Sequence, residues 1–227
     1  PTTIALTATA TPEVRRDVIA QLGLREPKIF VTGFARPNLR FEVCAPLSTP
    51  EKDELLIDAC SQTDGAGIVY ASTRRRCEEL SEMLQTRLGK PVGLYHAGLL
   101  PEQRRQIQED FMGGVLERIV ATNAFGMGID KADLRSVVHY NMPGSLEAYY
   151  QEAGRAGRDG QPARCILLFS YADRYLQEFF IENAHPSRAV VQSVYEFLRK
   201  RSEDPIEMTQ QEIKDQLGLP VGAEAVG

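Results

Sequence analysis

Between residues 39 and 169, short apolar runs alternate with stretches of helical periodicity, and few folds accept that order. Parallel strands need a crossover of a dozen or more residues, normally a helix, so strict alternation builds a mostly parallel sheet covered by helices. Strands are expected at 39–44, 66–71, 92–95, 118–121, 137–141 and 164–169. Helices are expected at 51–60, 73–88 and 101–112, the last with Pro101 at its first position. A further helix starting near Ser145 has to stop among Gly154, Gly157 and Gly160. The expected fold class is therefore α/β, a mostly parallel sheet flanked by helices.

Several segments lie outside this alternation. Residues 4–10 are an apolar run that breaks into threonines, and Thr11-Pro12-Glu13 announces a helix through a cap residue, an early proline and an early acid. A strand is expected at 28–31, and Gly33 to Asn38 reads as a linker because Pro37 disfavours helix in the residue before it. After Pro186 the chain turns helical over 188–201, and Thr209-Gln210-Gln211-Glu212 has the capping-box spacing for a short helix ending at Gly218. At 227 residues, the prior is one sizeable α/β domain with appendages.

Composition narrows the function. With 43% hydrophobic and 25% charged residues the chain is neither a disordered segment nor a disulfide-stapled miniature. Its longest apolar stretches, such as 165–169, fall far short of the roughly 20 residues that span a bilayer, so no membrane partner is expected. A formal charge of -5 argues against a dedicated basic nucleic-acid domain, so any such contact has to be local. Cys44, Cys60, Cys77 and Cys165 lie far apart, and His occurs only at 96, 139 and 185, so zinc-ligand spacing is missing and no metal site is expected. The thiols read as idle in a reducing cytosol. The chain starts with Pro1 and shows no basic, then apolar, leader; it is expected to be a cut piece of a longer, cytoplasmic protein.

The sharpest motif is Tyr150-Gln151-Glu152-Ala153-Gly154-Arg155-Ala156-Gly157-Arg158-Asp159-Gly160. Gln151, Arg155 and Arg158 step by four and three, so on a helix they would share one face. Arg offers planar, paired donors suited to a phosphate, and the intervening glycines admit close approach. The plainer alternative is a solvated basic face ended by glycine.

This string resembles the sixth motif of superfamily-two helicases, in the form typical of the RecQ family of DNA helicases. Residues 119–130, Ile-Val-Ala-Thr-Asn-Ala-Phe-Gly-Met-Gly-Ile-Asp, are similar to that family's fifth motif. Tyr70 to Arg74 resemble its fourth, Tyr95 to Leu99 the segment between the fourth and fifth, and Leu6 to Ala10 its third. Arg36-Pro37-Asn38-Leu39 is similar to the junction between the two motor lobes. The resemblance implies a RecA-like fold, with residues 1–34 ending a first lobe, 35–185 forming the second, and 186–227 a helical extension. That extension reads either as the start of a winged-helix module or as a simple helical cap.

In an open α/β sheet ligands sit at the carboxyl ends of strands, so Thr122 and Asn123, just past a strand, are candidate ligands for a DNA phosphate. Thr73 is another, or simply an N-cap, and Arg74 adds charge beside it. His96 follows a strand; alone it reads as a satisfied structural residue, whereas the resemblance makes it a DNA contact. Arg74 to Arg76 with Arg104 and Arg105 form either a positive path or a solvated surface. Tyr149 and Tyr150, which would suit base stacking, read better as packing. The resemblance makes Arg155 and Arg158, with Gln151, the catalytic group, one arginine reaching the γ-phosphate of ATP. It also gives Gly128 and Asp130 to the nucleotide, Asp130 accepting from the ribose; structurally Asp130 could equally cap a turn.

No Gly-x-x-x-x-Gly-Lys-Ser/Thr string and no Asp-Glu-x-His run occurs. The resemblance implies that ATP and Mg2+ are held mainly by the first lobe, that single-stranded and tailed duplex DNA are the partners, and that this piece alone is inactive. The competing expectation is a non-catalytic α/β module that binds single-stranded nucleic acid or a partner protein.

Overall fold

The fold is described from a computed structural model, which covers residues 3–219 except 8, 9, 32, 34, 127, 128, 185 and 202–206. In chain order the elements are α1 (Pro12–Gln21), β1 (Leu39–Cys44), α2 (Thr49–Ser61), β2 (Ala66–Tyr70), α3 (Arg74–Leu88), β3 (Val92–Tyr95) and α4 (Pro101–Met112). There follow β4 (Arg118–Ala121), β5 (Leu134–His139), α5 (Leu146–Ala153), β6 (Ala163–Leu168), α6 (Asp173–Ala184), α7 (Arg188–Arg199) and α8 (Gln210–Leu217). They fall into two compact units, Pro1–Ser170 and Tyr171–Gly227.

The first unit holds a six-stranded sheet in the order β1-β6-β5-β2-β4-β3, with every pairing parallel. Successive side chains of a strand face opposite ways, and β2 shows it: Ala66, Ile68 and Tyr70 enter one apolar cluster, Val69 the other. On one face Leu56, Cys60, Leu80 and Leu84 of α2 and α3 cover Val69, Val120 and Val138. On the other, Phe111 of α4, Ala153 of α5 and Phe125 and Ile129 of the β4–β5 connection cover Ile68, Ile119 and Val137. Burial on both faces is why these strands are apolar runs rather than alternating ones.

The expected mostly parallel α/β architecture is what the structure shows, with four differences in detail. Residues 28–31 form no strand, and Ile29, Phe30 and Val31 are 56%, 84% and 59% exposed. A strand needs a hydrogen-bonding neighbour, and among the described residues none pairs with this segment. β5 begins at Leu134 rather than 137: the polar pair Arg135-Ser136 interrupts the apolar run, and the pairing with β2 skips Arg135, Ala66 facing Leu134 and Gly67 facing Ser136, before the ladder continues. The helix after β5 ends at Ala153, capped by Gly154, so Gln151, Arg155 and Arg158 do not share a helical face. Gly157, at φ +54°, takes the left-handed backbone that other residues rarely adopt and turns the chain out of the helix. Finally, α6 was not expected, although its apolar spacing at 176, 179 and 180 is helical.

The second unit comprises α6, α7 and α8 among the described residues. Val190 of α7 and Ile213 of α8 are buried, Thr209 forms the expected capping box with Glu212, and Arg201 lies over the Phe197 ring.

Candidate functional site

Because all six strands run the same way, the residues following β2, β3 and β4 come to one edge of the sheet. Thr73, His96 and Thr122 are those residues. Thr73 caps α3, its Oγ1 accepting the Arg76 N–H at 3.2 Å, and Arg74 opens the helix with an exposed side chain. Thr122 is buried; its N–H donates to the Tyr95 carbonyl at 3.1 Å and its carbonyl accepts from Phe125 at 3.0 Å, leaving Asn123 exposed on the turn. The His96 side chain is 5% exposed. Its Nδ1 accepts the Gly98 N–H at 3.2 Å and its Nε2 lies 3.3 Å from Glu78 Oε1.

The five arginines considered as a path are not equivalent. Arg75 pairs with Glu79 at 2.9 Å, and Arg76 turns away to Asp53 at 2.6 Å and to the Tyr140 hydroxyl. Arg105 stands 3.8 Å from Glu109. Arg104 and Arg105 line a shallow cavity of about 370 Å³ with Tyr95 and Met112.

A second group forms where the loop after β4 meets the loop after α5. The Arg155 Nη1 donates to the Gly126 carbonyl, and Tyr70, which hydrogen-bonds Arg155, donates its hydroxyl to the Phe125 carbonyl at 2.9 Å. A Cβ on Gly126 would stand 2.7 Å from Arg155 Nη2, so glycine is what lets the guanidinium lie against that backbone. Arg158 donates to Asp130 Oδ1 at 2.5 Å, with side chains 38% and 77% exposed. The two arginines therefore grip opposite ends of residues 126–130, one half-buried and one at the surface. Gly128 lies outside the described residues. Gln151 is exposed on α5.

Beneath this group runs a polar chain. His139 Nε2 lies 2.9 Å from Glu152 Oε2, its ring stacks on Tyr70 with centroids 5.3 Å apart, and Tyr149 meets it edge-on at 4.9 Å. Tyr149 thus packs, also touching Phe41. Burial pushes the Tyr70 phenol up, with the Arg155 charge opposing it, and burial raises Tyr149 to about 12. Both therefore stay protonated at neutral pH.

Sequence reasoning missed the brace on this loop. Arg36 donates to the carbonyls of Gly154, Ala156 and Gly157 at 3.2, 2.9 and 2.8 Å, and Asn38 Nδ2 donates to Gly157 and Gln161 at 2.8 and 2.9 Å. The segment read as a linker is tied to the arginine loop. The signal was the polar Arg and Asn flanking Pro37 directly before a strand, residue types that satisfy carbonyls left over at a helix end. Among the described residues no three His, Cys, Asp or Glu side chains group to hold a metal ion, and no helix is long and apolar enough to cross a membrane.

The family described as "Helicase conserved C-terminal domain" matches residues 51–160. "ATP-dependent DNA helicase RecQ" of Bacillus subtilis (strain 168) is 45% identical over 186 residues, 81% of this chain and 31% of that protein. "Probable ATP-dependent DNA helicase RecS" of the same organism is 38% identical over 203 residues, 89% of this chain and 41% of that one. The chain thus spans about a third of the length of these curated relatives. The structure of S. cerevisiae Dbp5 bound to RNA and ADP BeF3 superposes with a TM-score of 0.64 at 20% identity, covering 78% of this chain and 47% of that one, a likeness of fold. With the all-parallel sheet and the paired arginine and glycine loops in place, the chain belongs to the RecQ-type helicases of superfamily two and forms their C-terminal, RecA-like lobe.

Proposed function

We propose that this chain is the second motor lobe of an ATP-driven DNA helicase, supplying an arginine finger and backbone contacts to one DNA strand. The observation that carries the reading is the convergence of Arg155 and Arg158 on residues 126–130. The groups present suit the outer face of a nucleotide: two guanidiniums, a carboxylate for a ribose hydroxyl, and a buried Arg155 Nε with no acceptor among the described residues. ATP, with Mg2+ held mainly on the first lobe, supplies a terminal phosphoryl group that gathers charge as it is transferred.

Arg158 is the finger in this reading. Its side chain is 38% exposed and its pairing with Asp130 is solvent-screened, so exchanging that carboxylate for a phosphate costs little. Arg155 is the anchor, tied to the Gly126 carbonyl and Tyr70. Once Arg158 leaves, the Asp130 carboxylate is free to accept from the ribose. Gln151, exposed on α5, and Gly128 are assigned to the same nucleotide site by the resemblance alone. A finger contributes about 10³- to 10⁵-fold in rate, roughly 4–7 kcal/mol.

At the carboxyl edge, Thr122, Asn123, Thr73 and Arg74 contact DNA phosphates, and His96, closed off from solvent, holds the turn at Gly98. Contacts of this kind are salt-sensitive and indifferent to base sequence. Single-stranded and tailed duplex DNA are the partners, and alternating closure against the first lobe walks the protein along the strand, in the 3' to 5' direction that the resemblance to RecQ helicases implies. Arg158→Ala in the intact protein tests the reading. DNA-stimulated ATP hydrolysis falls at least about 100-fold with near-normal DNA binding; unchanged turnover overturns the assignment, and no DNA-stimulated hydrolysis in the parent protein leaves a binding module.

A further inference from the structure

We infer that Arg36 is a positioning residue that couples the segment before β1 to the arginine loop at 154–161. The inference rests on the reading of Arg158 given above. One guanidinium satisfies the carbonyls of Gly154, Ala156 and Gly157, which bracket Arg155 and immediately precede Arg158. Asn38, two residues on, holds Gly157 again and also Gln161. Five hydrogen bonds from two side chains therefore fix the backbone from which both arginines spring.

The tips of those arginines are fixed elsewhere. Arg155 is held at the Gly126 carbonyl and Arg158 at Asp130, on the connection from β4 to β5. Each arginine is thus suspended between two supports, its root on Arg36 and its tip on residues 126–130. Arg36 stands three residues before β1, on the chain that arrives from α1. A displacement of that chain moves the roots and leaves the tips, which re-aims both guanidiniums together. Carbonyls at a helix end need a donor, and a planar fork can serve three of them where a neutral or single-point donor cannot.

The experiment uses the intact protein with Arg36→Gln and Arg36→Lys. The expected result is a fall of roughly 10- to 100-fold in kcat for DNA-stimulated ATP hydrolysis, the range a displacement of about 1 Å produces. KM for ATP and Kd for single-stranded DNA hold within about twofold, and Arg36→Lys restores little because an ammonium lacks the fork. Combined with Arg158→Ala, Arg36→Gln adds much less than its loss in the parent, since of the two arginines it positions only Arg155 remains. Loss that multiplies in the double variant, or full turnover in Arg36→Gln beside an inactive Arg158→Ala, overturns the coupling alone. Full turnover in Arg158→Ala overturns the reading beneath it. Should Arg36→Gln not fold, Asn38→Ala decides: a kcat loss of about fivefold or more, the worth of at least the one of its two hydrogen bonds that holds Gly157, supports the coupling, and unchanged kcat refutes it.

Discussion

Gly157→Ala probes the arginine loop through stability alone. Gly157 sits at φ +54°, where alanine costs about 1–2 kcal/mol relative to ordinary backbone. An added Cβ would stand 2.5 Å from Asn38 Nδ2 and 2.7 Å from the Gln161 carbonyl, so the amide that bonds Gly157 and Gln161 has to leave. Two hydrogen bonds of about 1 kcal/mol each are lost with it, for a total near 3–4 kcal/mol. In a chain of this size each kcal/mol moves Tm by about 2–4 °C, so the midpoint falls by roughly 6–16 °C. Gly160→Ala is the matched control: its φ is +80°, yet a Cβ there meets nothing within 4 Å, so it bears only the backbone cost, about 2–8 °C and roughly half or less of the Gly157→Ala shift. Thermal melts of both variants followed by circular dichroism give the comparison. Equal shifts would refute the argument that Asn38 and the carbonyls it serves crowd this position.

Two further outcomes follow from named groups. The Glu42 carboxyl on β1 is held below its ordinary value chiefly by its hydrogen bonds to Arg164 on β6, at 2.9 and 3.1 Å. A depressed carboxylate contributes stability that is complete above its unfolded value, near 4.5, and that is lost as pH falls through the lower folded value. Glu42→Gln should therefore cost about 0.5–1 kcal/mol at pH 7, with the gap to the parent closing below pH 4.5 in urea titrations; a gap constant from pH 7 to pH 3 would count against the pair. Burial raises Cys60 to about 11 and Cys77 and Cys165 to about 12, whereas Cys44 is partly exposed. Alkylation of the native chain at pH 8 should modify Cys44 first and the other three only in denaturant, as read by peptide mass spectrometry; early labelling of Cys77 would contradict the packing of α3.

The sheet was legible because burial on both faces leaves its strands as apolar runs whose ends are visible at a glance, as at 92–95 and 118–121. Where polar residues enter a strand, as Arg135 and Ser136 do, the apolar run starts later than the strand itself, which passes Arg135 with a shift of register. The arginine loop was legible as a composition and not as a geometry. Spacing of four and three places Gln151, Arg155 and Arg158 together on a helix, but the left-handed turn at Gly157 is set by Leu134 and Asn38, far away in sequence. Arg36 and Asn38 were legible at most as donors in search of acceptors, since the three carbonyls that Arg36 serves lie beyond residue 150.

The strand order carries a consequence for biosynthesis. β1 is the earliest of the six strands to leave the ribosome, and its one sheet neighbour among the described residues is β6, the latest, with Leu39 registered against Ala163. At about 5–20 residues per second, β1 waits roughly 6–25 s with the edge that β6 takes still unpaired. Nascent chains stalled before residue 163 should accordingly be the aggregation-prone ones, and chaperone demand should drop once β6 slots in and closes the ladder.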